Sequence, residues 1–429
     1  MIHPGGAPLN IANGIREFSV ATPDAIAIID GDRKYSYAEV NDRANRIANY
    51  LLYCGLAKGS TVALILDNQA EYIEIAAGLS KAELIIVPIN PRLTPSEVEY
   101  ILNHSGSQAI ILHSTLLDVL EQQLSTIKPN LVISLSNQDN NPSYGVDYEM
   151  VLLNSRSSDP GILIEETKVF AIFYTSGTTG KPKGVTVDHR GRCLTFLTAA
   201  IEWNLGPGKR SMAVAPMYHG AGFSFAYAAL YTGGTLSILP KWDPENALYL
   251  VDRDSIESMF LVPTHAQMFQ NLGNSTLQRY NLGSLKTIYF NAAPFPFALK
   301  EWVVDSFPHT GIHELYGSTE ACVVTCLRPD QQLEKPGSVG TPWLLNEVSL
   351  RDVDGRPVEC NEIGQLYSRS PYLMTGYLDN PEATEAVTTP DGYITAGDMA
   401  RVDEEGYIYI VDRKGDMIIS GGVNVYPRE

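Results

Sequence analysis

The sequence predicts an α/β protein with two packed βαβ-type sheet subdomains and a small antiparallel β-barrel-like subdomain. Up to residue 170, apolar strand-like runs alternate with segments of helical spacing, which is typical of βαβ units around a mostly parallel sheet. A second series of apolar runs follows between residues 169 and 293. From about residue 335 the strands become short and Gly, Pro and Asp turns divide them, which favours an antiparallel unit.

The predicted strands follow one another in chain order. The first series consists of the apolar runs at 61–67, 83–89, 108–113 and 130–135. The second series, interpreted as a second sheet, consists of the runs at 169–175, 211–216, 235–240, 258–264 and 285–293. The resulting subdomains are predicted at residues 1–170, 171–334 and 335–411.

The charge balance narrows the class of partner. Among 429 residues, 49 are acidic and 31 are basic, which gives a formal net charge of −18. Nucleic acids and anionic membranes would be repelled by such a field, so neither is an expected partner. An anionic small molecule can still bind where local Lys, Arg, metal or backbone N–H groups overcome the repulsion.

Cysteine usage and hydropathy indicate a cytoplasmic protein. The five cysteines are scattered and without CxxC spacing, which argues against a disulfide framework or a structural zinc site. The first residues lack the basic and apolar regions of a signal peptide. Residues 211–240 contain no Asp, Glu, Lys or Arg, but Pro and Gly interrupt them, so we predict buried core and no membrane span.

The strongest functional signal is the segment YTSGTTGKPKGV at residues 174–185, directly after an apolar run. Its glycines allow backbone N–H groups to converge on an anion, and its hydroxyl and lysine side chains add donors and positive charge. This chemistry suits a triphosphate. A Walker A loop is excluded because Pro182 follows Lys181, where that motif requires Ser or Thr. An ordinary hydrophilic turn is the alternative, but the two lysines and the preceding strand favour phosphate binding.

The segment resembles the signature of the adenylate-forming superfamily, which includes acyl- and aryl-CoA synthetases, luciferases and peptide-synthetase adenylation domains. Further similar segments occur in the expected order, namely NAAPFP at 291–296, YGSTE at 316–320, GYITAGDMAR at 392–401 and VDRKGDMIISGG at 411–422. Alone, these segments could be a strand-ending turn, a capped helix start, a turn aspartate and an exposed loop arginine. Their shared order favours the resemblance, which covers essentially the whole chain.

The resemblance implies a role for each matching residue. Tyr316 would stack on adenine, Thr319 would contact the α-phosphate and Glu320 would hold Mg²⁺. Asp398 would accept hydrogen bonds from both ribose hydroxyls, which Arg413 would also reach. Nucleotide binding is further implied for Thr175, Ser176, Gly177, Thr178, Thr179, Gly180, Lys183, Ala292, Ala293, Pro294 and Gly317. Catalytic roles are implied for Thr319, Glu320, His219 and Lys183.

The substrate acid is predicted only by class. By resemblance, His219 lies beside the reacting carboxylate, where it would position the acid or gate its pocket; a core histidine is the alternative. It would not be a general base, because a carboxylate is already ionised at pH 7. Gly220 stands where peptide-synthetase domains carry the aspartate that binds an α-amine, which disfavours an amino acid. The apolar neighbourhood suits a fatty or an aromatic acid, or is plain core, and consists of Phe223, Phe225, Tyr227, Val262, Met268 and Tyr289.

The implied reaction uses ATP and Mg²⁺ to convert a small-molecule carboxylic acid to acyl-AMP and pyrophosphate, after which CoA receives the acyl group. An acyl carrier protein as the acceptor, and a non-catalytic nucleotide-binding module, are the alternatives. In the family a small C-terminal lid domain supplies a further lysine. We interpret residues 412–429 as the hinge and the first residues of that domain, with Gly415 at the pivot. With the lid missing, this chain is expected to bind ATP but to turn over slowly.

Overall fold

A computed structural model describes residues 8–136, 145–175 and 181–413, together with the backbone of 418–420 and 423–425. The chain divides into two compact units, Met1–Trp242 and Asp243–Glu429. The finer division into subdomains at 1–170, 171–334 and 335–411 stays a prediction. The following predicted residues lie outside the described ones: Ser176, Gly177, Thr178, Thr179, Gly180 and Gly415.

The first unit alternates strands and helices along most of its length. Its strands are β1 (Ile26–Asp30), β2 (Arg33–Ser36), β3 (Thr61–Ile65), β4 (Ile85–Pro88), β5 (Ala109–His113), β6 (Leu131–Leu135), β7 (Val146–Asp147), β8 (Val169–Thr175), β9 (Lys183–Asp188), β10 (Arg210–Ala213) and β11 (Thr235–Ile238). Its helices are α1 (Asn13–Ala21), α2 (Tyr37–Tyr53), α3 (Ala70–Lys81), α4 (Pro95–Ser105), α5 (Glu121–Ile127), α6 (Tyr148–Leu153), α7 (His189–Trp203) and α8 (Gly220–Tyr231).

Two sheets form within the first unit. One has the order β9-β8-β4-β3-β5-β6-β7, in which only the β8–β9 pair is antiparallel. The other has the order β10-β11-β1-β2, with β1–β2 as its antiparallel pair. The predicted α/β class with mostly parallel pairing is therefore confirmed for this unit.

One sheet assignment was wrong. The run at 169–175 was predicted to open the second sheet, but as β8 it pairs with β4 of the first sheet. Conversely, β1 from the start of the chain pairs with β11, where the second series lies. Strand pairing is a long-range property, and apolar patterning shows only that a strand is buried.

Most of the uncharged stretch at 211–240 forms buried core, as predicted, although His219 within it is exposed. It contains α8, whose residues from Gly222 to Tyr231 are all buried. Among the residues that the structure describes, no helix combines the length and apolar character needed to cross a membrane.

The second unit begins with α/β pairing and ends in antiparallel strands. Its strands are β12 (Ser258–Leu261), β13 (Thr287–Phe290), β14 (Gly311–Ser318), β15 (Cys322–Leu327), β16 (Thr341–Pro342), β17 (Glu347–Arg351), β18 (Gly364–Arg369), β19 (Gly376–Tyr377), β20 (Asp398–Val402), β21 (Ile408–Arg413), β22 (Ile418–Ser420) and β23 (Val423–Val425). Its helices are α9 (Pro244–Asp254), α10 (Pro263–Leu272), α11 (Asn274–Leu277), α12 (Phe297–Ser306) and α13 (Pro381–Val387).

The pairing in this unit brings the predicted nucleotide segments to one edge. Strands β12, β13 and β14 are parallel neighbours, and β15 and β16 continue the sheet in antiparallel fashion. Because the carboxyl ends of parallel strands meet at one edge, the segments that follow β13 and β14 leave the sheet side by side, which is the usual ligand edge of such sheets.

A separate four-stranded antiparallel sheet has the order β17-β18-β20-β21. It matches the predicted change of texture after residue 335, and its closure into a barrel stays a prediction. Its strands supply Leu350, Leu366, Ala400 and Ile408 to one buried core cluster, and Tyr316 lies partly buried against that cluster.

Candidate active site

Three of the predicted nucleotide residues are joined directly in the second unit. The hydroxyl of Tyr316, near the end of β14, donates a hydrogen bond to Oδ2 of Asp398 at 2.5 Å. The other carboxylate oxygen, Oδ1, lies 3.3 Å from Nε of Arg413. Asp398 is only 7% exposed, whereas the Arg413 side chain is 68% exposed. Asp398 begins β20 and Arg413 ends β21, and the two residues are paired across these strands.

Burial and the contacts among Tyr316, Asp398 and Arg413 determine the protonation of the Tyr316 phenol. Burial and the neighbouring Asp398 carboxylate together raise the pKa of Tyr316 well above 10, so its phenol remains a hydrogen-bond donor at neutral pH. A carboxylate has about four acceptor positions. Asp398 can therefore keep both observed contacts and still accept hydrogen bonds from a diol.

Glu320 is held by a residue that the sequence did not indicate. The hydroxyl of Tyr377 donates to Oε1 of Glu320 at 2.9 Å, and the backbone N–H of Met374 donates to the Glu320 carbonyl oxygen at 2.8 Å. Burial and the Glu320 charge raise the pKa of Tyr377. Tyr377 lies 57 residues beyond Glu320 in the two-residue strand β19, so no local pattern could have revealed the pair.

The segment containing Thr319 and Glu320 is the turn of the β14–β15 hairpin, and it is not a helix start. Gly317 is required there, because a Cβ at this position would lie 1.9 Å from the Cys322 carbonyl oxygen. Cys322 itself adopts a left-handed φ of 61°. The tight hairpin thus presents Thr319 and Glu320, both partly exposed, at the carboxyl end of β14.

The predicted adenine-lining segment follows β13 at the same sheet edge. Ala292, Ala293 and Pro294 are exposed, and Ala292 has an unusual left-handed φ of 74°. The side chain of Asn291 accepts a hydrogen bond from the Ala292 N–H at 2.6 Å. Non-glycine residues in this region cost about 1–3 kcal/mol and cluster at ligand sites. The hydrogen bond from Ala292 to Asn291 therefore supports a strained backbone at the end of β13.

In the first unit, the ends of the predicted phosphate segment lie on two paired strands. Thr175 ends β8, Lys183 begins β9, and the two residues are partners in the antiparallel register. Both are partly exposed. The hairpin therefore closes the segment at its base, with Thr175 and Lys183 side by side.

His219 lies immediately before α8. It is exposed, yet the protein atoms around its ring lower its pKa below 6.5 through burial, which keeps the imidazole neutral at pH 7. The preceding turn is fixed by Asn68, whose side chain accepts from the Met217 N–H at 2.8 Å and donates to the Ala215 carbonyl at 3.1 Å. A Cβ at Gly222 would lie 2.1 Å from the Pro216 carbonyl oxygen, so the turn and the helix touch.

The apolar residues after His219 are mostly core. Phe223 and Tyr227 are buried, and their rings stack with centroids 5.1 Å apart. Phe223 also packs against Phe170 and Phe173 of β8. Their burial supports the plain-core interpretation for these two side chains and leaves the nature of the acyl group open.

The structure thus joins Tyr316, Asp398 and Arg413, and it places Ala292 and Glu320 at the ends of neighbouring strands. Thr175, Lys183 and His219 belong to the first unit. Their meeting with the second-unit residues in one active site stays a prediction. No interaction of Thr319 with the described residues identifies its role.

A family profile and individual relatives of known function assign the chain to the same family. The sequence profile of the AMP-binding enzyme family matches residues 15–378. The chain is 31% identical over 416 residues to a feruloyl-CoA synthase of Amycolatopsis sp, covering 95% of this chain and 79% of that protein. It is also 31% identical over 430 residues to the long-chain-fatty-acid–CoA ligase FadD13 of Mycobacterium tuberculosis, covering 98% of this chain and 82% of the relative.

Solved structures of similar proteins support the same family assignment. ATP-bound MatB from Rhodopseudomonas palustris superposes with a TM-score of 0.87 at 27% identity, covering 98% of this chain and 82% of MatB. The o-succinylbenzoate-CoA synthetase MenE from Bacillus subtilis, solved with its acyl-adenylate intermediate, gives a TM-score of 0.85 at 25% identity. The match covers 97% of this chain and 81% of MenE. The family profile spans most of the sequence, and the relatives are matched over nearly all of it. The chain therefore belongs to the AMP-binding enzyme family.

Proposed function

We propose that this protein is an AMP-forming acid–thiol ligase that activates a carboxylic acid with ATP and transfers the acyl group to CoA. The observation that carries the proposal is the buried Asp398 carboxylate, held between Tyr316 and Arg413, in a chain of the AMP-binding enzyme family. A carboxylate beside an aromatic ring suits a nucleoside, because it can accept from both ribose hydroxyls while the ring stacks on the base.

The first step joins two substrates. A carboxylate oxygen of the acid attacks the α-phosphorus of ATP, an O–P bond forms, and the bond to the β-phosphate oxygen breaks to release pyrophosphate. In the second step a thiol sulfur attacks the acyl carbonyl carbon, AMP leaves, and a thioester results. Catalysis of the first step rests mainly on alignment and on stabilising charge at the phosphate oxygens.

We assign the nucleoside to the second unit. Tyr316 would stack on adenine, with Ala292, Ala293 and Pro294 along the edge of the base. Asp398 would accept from the ribose hydroxyls, and the exposed Arg413 would reach the same sugar. The fixed φ of 74° at Ala292 supports this assignment, because it holds the backbone in one shape before the nucleotide arrives.

The phosphates would lie against the segment between Thr175 and Lys183. That segment is rich in backbone N–H and hydroxyl donors, and Lys183 adds a positive charge at its base. Thr319 would donate to an α-phosphate oxygen from the β14–β15 turn.

Glu320 fits a magnesium ligand. Its Oε1 accepts from Tyr377, which fixes the carboxylate, and its Oε2 accepts no hydrogen bond from the part of the chain that the structure describes. Mg²⁺ prefers one or two carboxylates together with phosphate oxygens and waters. When bound, the ion would supply positive charge against the phosphate oxygens. Tyr377 would keep Oε2 aimed outward.

The acid would bind near His219, whose neutral ring at pH 7 suits positioning or gating. Gly220 offers no carboxylate for an α-amine, so a simple fatty or aromatic acid is favoured over an amino acid. Relatives include a feruloyl-CoA synthase, which points to an aromatic acid, and a long-chain-fatty-acid–CoA ligase, which points to a fatty acid.

Acid-dependent exchange of labelled pyrophosphate into ATP tests the first step. We expect exchange above the acid-free blank with at least one member of a panel of fatty and aromatic acids. Thioester formation is then compared with CoA and with a pantetheine-bearing carrier protein, and CoA is expected to be the better acceptor. A protein that binds Mg·ATP but exchanges with no acid would contradict the proposal and favour a nucleotide-binding module.

A further inference from the structure

Two side chains of α4 face the predicted phosphate segment from within the first unit. The helix begins where Glu97 accepts a hydrogen bond from the Thr94 N–H at 2.8 Å, and it ends at Gly106 with a left-handed φ of 61°. Tyr100 and His104 are one turn apart, so they share a face of the helix. Their rings stack with centroids 5.5 Å apart, which makes one rigid aromatic surface.

This surface contacts both flanks of the segment. On one flank, a hydrogen bond of 2.8 Å joins Nδ1 of His104 to the hydroxyl of Tyr174 in β8. On the other flank, the hydroxyl of Tyr100 donates to the carbonyl oxygen of Pro182 at 3.0 Å. Tyr174 lies on β8 and Pro182 directly precedes β9, so the two contacts lie on the two sides of the hairpin.

A lysine is oriented by the same surface. Nζ of the exposed Lys181 lies 5.7 Å from the centroid of the Tyr100 ring, within the range of a cation–π contact. Tyr100 thus touches Lys181 through its ring and Pro182 through its hydroxyl. Neither contact is needed to close the β8–β9 hairpin, whose backbone ladder runs from Val169 and Asp188 to Thr175 and Lys183.

We propose that Tyr100 and His104 are positioning residues for phosphate binding: they hold the two flanks of the segment in place before ATP arrives. The inference rests on the proposed function, in which that segment receives the phosphates. Fixing the flanks in the free protein lowers the conformational entropy that binding would otherwise lose. The effect should therefore fall on ligands with phosphates and spare ligands without them.

The test compares ATP and adenosine, because both carry the base and ribose but only ATP carries phosphates. Dissociation constants are measured by isothermal titration calorimetry or by competition. Tyr100→Phe and His104→Phe each keep an aromatic ring and remove one hydrogen bond. Each is expected to weaken ATP binding about fivefold, the usual effect of one such bond, and to change adenosine binding less than twofold.

Three further variants separate positioning from general damage. His104→Asn keeps a side-chain polar atom near the place of Nδ1 and is expected to restore most of the ATP affinity. Tyr174→Phe combined with His104→Phe is expected to cost no more than either change alone, because both remove the same bond. Asn103→Ala, an exposed position on the same helix, serves as the matched control and should change neither constant.

The outcomes are distinct. Unchanged ATP affinity in the Tyr100 and His104 variants would overturn the inference, and so would an equal loss for ATP and adenosine, since that would indicate a purely structural role. A wild-type protein that binds adenosine but gains nothing from the phosphates would overturn the assignment of the phosphate segment in the proposed function. A wild type that binds ATP tightly, with variants that match it, would leave the proposed function standing and refute this inference alone.

Discussion

The hydroxyl of Tyr316 offers the sharpest test of the contacts at the proposed nucleoside site. Tyr316→Phe keeps the ring and removes only the donor to Oδ2 of Asp398, a bond of 2.5 Å to a carboxylate that is 7% exposed. Among the residues that the structure describes, Arg413 then remains the one side-chain partner of Asp398, at 3.3 Å and from an exposed position. The change therefore leaves a buried carboxylate oxygen without its donor.

The magnitude follows from the charge on the acceptor. A hydrogen bond to a charged group contributes about 1.5–3 kcal/mol, so we expect the free energy of unfolding to fall by about 2 kcal/mol. For a unit of this size, 1 kcal/mol corresponds to about 2–4 °C in Tm, which gives a decrease of about 4–8 °C. Adenosine binding should weaken less than tenfold, because the stacking ring is retained.

Calorimetric unfolding of the free protein measures this change. Tyr367→Phe is the matched control, since Tyr367 lies on β18 and contacts Arg351 through its ring, which phenylalanine retains. The control should stay within about 0.5 kcal/mol of the wild type. A Tyr316→Phe protein as stable as this control would refute the reasoning that the phenol supports the Asp398 carboxylate.

Two other predictions concern the proposed magnesium ligand Glu320 and the buried acid Glu74. Tyr377→Phe frees the Glu320 carboxylate to rotate. We therefore expect the Mg²⁺ concentration for half-maximal pyrophosphate exchange to rise about tenfold, while the rate at saturating Mg²⁺ changes little. An unchanged Mg²⁺ titration would contradict this prediction. Burial raises the pKa of Glu74 in α3 to about 7, although Arg43 opposes the shift. Between about pH 4.5 and 7 the folded state keeps a proton that the unfolded chain releases, so this group lowers the free energy of unfolding as pH rises, by up to about 1.4 kcal/mol per pH unit. Denaturant titrations across that range should show this slope in the wild type and lose it in Glu74→Gln; identical slopes would exclude Glu74 as its source.

Apolar patterning predicted the individual strands well and their partners poorly. The runs at 61–67 and 108–113 contain β3 and β5, as expected from their continuous hydrophobicity. The sheet to which β8 belongs was wrong, because its partner β4 lies about 80 residues earlier and no local signal marks the pairing. The β1–β2 hairpin was not predicted either, since β2 is exposed and polar and lacks the alternation that identifies a strand.

In the candidate site, too, the sequence predicted individual residues but not the contacts between distant ones. Tyr316 and Asp398 were identified separately by resemblance, yet their hydrogen bond spans 82 residues and appears only in the folded chain. Tyr377 and His104 were missed altogether, because each is an ordinary aromatic side chain whose importance comes from its partner. Sequence motifs mark groups that would meet the ligand and say little about the groups that hold them.

The contact between Gly222 and Pro216 limits how the protein can be redesigned. A methyl group at position 222 would collide with the Pro216 carbonyl oxygen at 2.1 Å, and Asn68 fixes the same turn through two hydrogen bonds. Attempts to reshape acyl preference by enlarging residue 222 would therefore displace His219 along with the turn. Libraries for altered acid scope are better directed at positions whose side chains already point into open space.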